Sequence, residues 1–153
     1  MVRGRMEFYQ ILRAARQFER AFAQRISPVL ERWSLTTGEM QVLLFLANNP
    51  GCDTARDMVV VRGLGKSQVS QAVELLVGKG FLARSPSQRD RRIVHLAITE
   101  AGWPAAREAQ AVQARCGRAL FDGLTPEEME TLRVILEKMM ANSARLAGEE
   151  QKQ

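Results

Sequence analysis

The sequence predicts a mainly α-helical fold with one small β-hairpin, on three observations. Apolar residues recur at helical spacing through both ends of the chain. Two short helical segments in the middle meet at the turn Gly63-Leu64-Gly65. Strand-like alternation from Ile93 to Ile98 follows a polar, arginine-rich stretch and a second short apolar run, Phe81 to Ser85.

From about Arg5 to Arg25, Phe8, Ile11, Leu12, Ala15, Phe18 and Phe22 keep the spacing of one helix face, with Arg13, Arg16 and Arg20 opposite. Ser27-Pro28 is expected to interrupt that helix and restart it, because proline is tolerated in a first turn and not further in. A helix from about Thr37 to Ala47 follows, capped by Thr36 or Thr37 and stopped at Asn48-Asn49-Pro50-Gly51. Asp53 or Thr54 caps a short helix to about Arg62, and a second runs from Lys66 to Gly78, ended by Gly80. The inward face of the second is Val69, Ala72, Val73 and Leu76; Ser67, Gln68, Ser70, Gln71 and Glu74 lie outward. Two helices joined by a glycine-containing turn form a helix-turn-helix. The hairpin after them is then a wing, with Arg89, Arg91 and Arg92 at its tip, so the predicted fold is a winged helix-turn-helix. A long helix from about Thr99 to Asp122 follows. The last helix is capped by Thr125, with Pro126 first, Glu128 closing a capping box, and an apolar stripe of Leu132, Ile135, Leu136 and Met139.

A chain of 153 residues suffices for one domain with a buried core. No apolar run approaches the roughly 18 residues of a membrane span, and the N-terminus has no signal-peptide apolar core, so a cytoplasmic protein is expected. The net charge of +5 is unevenly spread: residues 53–92 carry +4 and residues 93–153 carry −2. A basic middle segment suits a polyanionic partner. Cys52 and Cys116 share no metal-ligand spacing and are expected to be reduced packing residues. With His95 as the sole histidine, neither a catalytic triad nor a metal site can be assembled. "RGLGKS" looks like the end of a phosphate loop, but Val60 stands where that motif needs its first glycine. No enzyme activity and no cofactor are expected.

Three segments carry a family resemblance: "LTTGEMQVLLFLANNPG", "KSQVSQAVELLVGKGFLAR" and "QRDRRIVHLAITEAG". The last holds Asp-x-Arg as Asp90-Arg91-Arg92 and Thr-Glu-x-Gly as Thr99-Glu100-Ala101-Gly102. In their order and spacing the chain resembles the MarR family of bacterial transcription regulators, over roughly residues 5 to 147. The resemblance implies a homodimer. Segments 5–35 and 100–147 would be dimerisation helices, residues 37–98 the DNA-binding lobe, and the whole chain 1–153 one domain. The stripes at the two ends independently call for partners that a second subunit would supply.

A regulator of this kind, and a repressor in particular, would read double-stranded DNA at a pseudo-palindromic operator. Lys66, Ser67, Gln68, Ser70 and Gln71 are the candidate major-groove residues. Many relatives carry arginine where Gln71 stands, which favours adenine over guanine here. Arg92 matches the Asp-x-Arg arginine, and it or Arg91 would enter a minor groove. Arg62, Lys66 and Arg89 would contact phosphates, Arg84 belongs to the same basic set, and Asp90 would hold the tip by pairing with Arg84. The family's usual control is a small-molecule effector between the dimerisation helices and the DNA-binding lobe. Arg13, Arg16, Trp33, Phe45, Trp103 and Arg107 are candidates for a pocket taking an anionic aromatic ligand. Two other readings are weighed: thiol-based redox sensing through Cys52, which precedes a helix start, and a protein-interaction module that binds no DNA.

Overall fold

The computed structural model describes residues 8–150, as six helices and one two-stranded sheet: α1 (Phe8–Trp33), α2 (Thr37–Asn48), α3 (Ala55–Arg62), α4 (Lys66–Gly78), β1 (Leu82–Pro86), β2 (Val94–Ile98), α5 (Trp103–Leu120) and α6 (Pro126–Glu150). These residues form two compact units, one ending at Cys116 and the other beginning at Gly117. The expected first turn at Arg5 lies outside the described residues.

In the first unit the core is built where α2 and α4 meet the hairpin. Leu43, Met58 and Leu76 are fully shielded from solvent, with Val42 and Val69 beside them. α4 keeps the predicted division: Val69, Ala72, Val73 and Leu76 are buried, and the five polar residues opposite are exposed. On α5, Ala105, Ala106 and Ala109 are buried, and their small side chains let that helix lie close to its neighbours. Near its far end, α1 is fixed to α5 through Glu108, which accepts from Trp33 Nε1 at 2.8 Å and from Arg32 at 2.5 Å. Trp33 also meets Phe81 edge-on, with centroids 6.1 Å apart.

The break expected at Ser27-Pro28 does not occur, for α1 is one 26-residue helix with Pro28 inside it. Proline removes one backbone donor, so the carbonyl of Gln24 loses its helical partner. Both residues are exposed, and water can serve that carbonyl. Ile26 and Val29 flank the site and are buried, which holds both halves of the helix to the core. The remaining boundaries move little: α5 ends at Leu120 rather than near Asp122, and each strand begins one residue later than the alternation suggested.

The hairpin is antiparallel, in a register that pairs Leu82 with Ile98, Arg84 with Leu96 and Pro86 with Val94. At its base, Thr99 donates through Oγ1 to the Gly80 carbonyl at 2.6 Å and through its amide to Phe81 O at 3.0 Å. Gly102 closes this corner. A Cβ there would lie 2.3 Å from Phe81 O, so only glycine fits without a backbone shift.

The second unit is dominated by α6, which starts as its sequence predicts. Thr125 Oγ1 accepts from the Glu128 amide at 3.2 Å, and Glu128 accepts from the Thr125 amide at 2.8 Å. Arg133 pairs with Glu130 and Glu137 along one face. Ile135, Leu136, Met139, Met140 and Leu146 are exposed, and α6 has no buried side chain among the described residues. The first turns of α1 are equally uncovered, with Phe8 at 74% and Tyr9 at 57% exposure.

Candidate nucleic-acid interface

The helix-turn-helix owes its geometry to local chemistry. Thr54, not Asp53, caps α3: its hydroxyl accepts from the Asp57 amide at 3.2 Å, and Asp57 Oδ2 accepts from the Thr54 amide at 2.9 Å. The Thr54 hydroxyl also donates to Asp57 Oδ2 at 2.8 Å, and this bond first and that from the Thr54 amide second hold the Asp57 carboxyl below its ordinary pKa. Gly63 ends α3 at φ 72°, a left-handed conformation that suits glycine, and its amide reaches Val59 O at 3.1 Å. Gly65 stands at the N-cap of α4, and Gln68 folds back over it, with Oε1 3.2 Å from where a Cβ would stand.

The exposed face of α4 is a continuous stripe. Ser67, Ser70, Gln71 and Glu74 follow each other at three- and four-residue steps, so they lie along one side of the helix. The last of them, Glu74, accepts a hydrogen bond from Arg84 of β1 at 2.5 Å. The polar stripe of α4 therefore ends against the root of the wing. A groove of about 490 Å³ beside the stripe is lined by Gln68 and Gln71, by Thr36, Thr37 and Gln41 of the α2 start, and by the Gly63–Gly65 turn.

The wing tip is shaped by its own backbone. Ser87 N donates to Ile93 O at 2.8 Å and Ile93 N to Asp90 O at 2.9 Å. Asp90 Oδ1 accepts from the Arg92 amide at 2.9 Å, a turn-forming contact across two residues. Arg89, Arg91 and Arg92 are exposed, and among the described residues none of them joins an ion pair; the same holds for Arg62 and Lys66. One expectation is corrected here. Asp90 does not pair with Arg84, whose partner is Glu74; it holds the tip through a main-chain amide instead. On β2, His95 Nδ1 lies 2.8 Å from Asp53 Oδ1, and the next residue's amide, Leu96 N, donates to Asp53 O at 2.7 Å.

The six candidate pocket residues are not brought together. Arg13 and Arg16 line a site of about 510 Å³ on α1 with Tyr9 and Arg20. Trp33 is engaged by Glu108 and Phe81, and the Arg107 guanidinium lies 5.6 Å from the Trp103 ring centre. Phe45 lines a different cavity, of about 520 Å³, formed by Phe18, Phe22 and Ile26 of α1, Leu44 of α2, and Arg62. Cys52 is half-buried and Cys116 buried, and both are free thiols.

Sequence reasoning missed a buried ion pair. Glu39 is completely buried, and its Oε1 takes a hydrogen bond from Lys79 Nζ at 2.6 Å. Glu39 Oε2 accepts from the Thr36 amide at 2.7 Å, and Lys79 also donates to Ser34 O at 2.6 Å. Burial pushes the Glu39 pKa up, but the bonds from Lys79 and Thr36 outweigh it and leave the carboxyl below its ordinary value. The available signal was the Thr36-x-x-Glu39 spacing of a capping box.

Comparison with known proteins converges on this architecture. The sequence model of the MarR family matches residues 33–93. The HTH-type transcriptional regulator PetP of Rhodobacter capsulatus is 26% identical over 121 residues, covering 79% of this chain and 72% of PetP. The Bacillus subtilis regulator YwhA is 30% identical over 89 residues, covering 58% of this chain and 64% of YwhA. The family model, these relatives and the solved structures all support the MarR family. At that level the chain is a DNA-binding transcription regulator of MarR type. Its fold is that of solved MarR structures. A MarR protein from Peptoclostridium difficile superposes with TM-score 0.73 at 21% identity, over 94% of this chain and 92% of that one. The Staphylococcus aureus MepR–DNA complex gives TM-score 0.70 at 19% identity, over 90% and 99%. Among the described residues, no helix is long and apolar enough to cross a membrane.

Proposed function

We propose that the protein is a homodimeric repressor that reads a pseudo-palindromic operator with α4 in the major groove and the wing in the adjacent minor groove. One observation carries this reading: the exposed polar stripe of α4 runs into the wing through the Glu74–Arg84 pair, so reading helix and cationic hairpin adjoin. Ser67, Gln68, Ser70 and Gln71 meet base edges, and a glutamine opposite adenine contributes about 1–3 kcal/mol of discrimination. Arg91 and Arg92 are unpaired and exposed, as insertion into a narrow groove of high negative potential requires. Arg62, Lys66 and Arg89 contact phosphates. Arg84, held by Glu74, belongs to the wing's support rather than to its DNA contacts.

Residues 37–98 form the DNA-binding lobe, and segments 5–35 and 100–147 supply the dimer interface. The uncovered apolar side chains of α1 and α6 support that assignment, because a second copy would remove them from water. Selection from a random DNA pool tests the reading: the enriched sites should be inverted repeats with half-sites about 10 bp apart. Enrichment of no sequence would favour a protein-interaction module instead.

Effector control rests on the 520 Å³ cavity, where aromatic side chains and Arg62 suit an anionic aromatic ligand. Such a ligand releases DNA only if it binds the DNA-incompetent conformation more tightly. Redox control through Cys52 predicts release by peroxide that Cys52→Ser abolishes.

A further inference from the structure

The wing is a lever with two lateral ties, and neither touches the residues that would read DNA. Beyond Leu82 and Leu96, which are buried, the hairpin residues toward the tip are mostly exposed. The outermost side-chain links from the hairpin to the rest of the lobe are one per strand. On β1, Arg84 bonds Glu74 of α4 at 2.5 Å. On β2, His95 bonds Asp53, the residue preceding the α3 cap, at 2.8 Å. Arg84 and His95 stand at neighbouring register positions, opposite Leu96 and Ser85, so both ties act at one level of the hairpin.

Both pairs are solvent-accessible, with side-chain exposures of 37% and 65% for Arg84 and Glu74, and 41% and 43% for His95 and Asp53. Pairs of that exposure add little to folding stability. Their leverage on geometry is larger. At about 3.3 Å per strand residue, Val94 stands about 7 Å beyond Leu96, and the turn that carries Arg92 lies beyond it. A tilt of about 20° at the root then moves the end of β2 by about 2–3 Å and the tip further, against a minor groove only about 6 Å wide. An acidic residue beside DNA repels phosphate, so Glu74 and Asp53 would be liabilities unless they did something else.

We propose that Glu74 and Asp53 are positioning residues of the wing, each holding one strand so that Arg91 and Arg92 arrive in register with α4. This rests on the DNA-binding reading above.

Two double variants cut the same ties with opposite charge consequences. Asp53→Ala with Glu74→Ala removes two negative charges and leaves the Leu96 N to Asp53 O bond in place, because that bond is main-chain. Arg84→Met with His95→Leu cuts both ties from the wing side and removes a positive charge. Each is tested on the duplex enriched by the wild-type protein, with melting temperature as the folding control. Hydroxyl-radical footprinting reports the minor groove, and guanine N7 methylation protection reports the major groove. The positioning role predicts that both doubles lose minor-groove protection, keep major-groove protection, and bind the selected duplex at least about tenfold more weakly. Charge alone predicts tighter binding by the first and weaker by the second; that split, or unchanged minor-groove protection in whichever double folds, overturns the proposal. Wild-type protein giving no minor-groove protection would instead defeat the wing's part in the DNA-binding reading.

Discussion

Replacing Lys79 by methionine should expose the energetic weight of the Glu39 site. The methionine keeps most of the lysine's length and removes its charge. Glu39 then keeps its bond from the Thr36 amide but has lost the partner of Oε1, in a position with no solvent access. Removing one member of a buried ion pair costs about 3–5 kcal/mol. The Lys79 side chain is 33% exposed, which lets some water in and favours the lower end of that range. The bond from Lys79 to Ser34 O is lost as well, adding about 1 kcal/mol. A total near 3–4 kcal/mol corresponds to a fall in melting temperature of about 7–14 °C for a chain of this size.

The pH dependence gives a second, independent reading. In the wild-type protein the folded carboxyl of Glu39 lies below its ordinary value. Its stabilisation is therefore present above the unfolded pKa and lost as pH falls through the folded one. In Lys79→Met, burial acts without the lysine and raises that pKa, so the carboxyl takes up a proton and the penalty shrinks as pH is lowered. The gap between the two proteins should be widest at neutral pH and narrow toward about pH 4. Thermal melts followed by circular dichroism at one fixed protein concentration measure both quantities. A shift under about 2 °C at pH 7, or a gap that does not change with pH, would refute the reasoning.

Gly102→Ala should destabilise the protein by about 2 kcal/mol or more in the same melts, because its Cβ would meet the Phe81 carbonyl at 2.3 Å and the corner beneath the wing must open. Pro28→Ala should do the reverse and raise the melting temperature, since it restores a helical hydrogen bond to the Gln24 carbonyl worth about 1 kcal/mol within α1. Arg91→Ala and Arg92→Ala should leave the melting temperature unchanged and weaken binding to the selected operator. A titration in salt should show each lowering the slope of log K against log salt concentration by about 0.9, provided the side chain neutralises a phosphate.

Most of the fold was legible because helices and strands declare themselves by period. Val69, Ala72, Val73 and Leu76 had to face inward once α4 was drawn, and the polar residues between them had to face out. The caps were legible for the same local reason: Thr125 and Glu128 find each other three residues apart. Pro28 was misjudged because a local rule was applied where tertiary packing on either side outweighed one lost hydrogen bond.

Partners separated by long stretches of chain were not legible. A period tells which face a residue occupies and nothing about what meets it there. Lys79 and Glu39 are 40 residues apart, and His95 and Asp53 are 42 apart. Arg84 shows the consequence for function. In the sequence it is one more arginine in a basic segment, equivalent to Arg89 or Arg91; in the fold it is occupied by Glu74, while Arg89 and Arg91 remain unpaired. Counting positive charge finds the lobe proposed to face DNA. Separating the charges free to contact it from those already paired requires the acidic residues as well, and at the hairpin these are Glu74, paired with Arg84, and Asp53, beside His95.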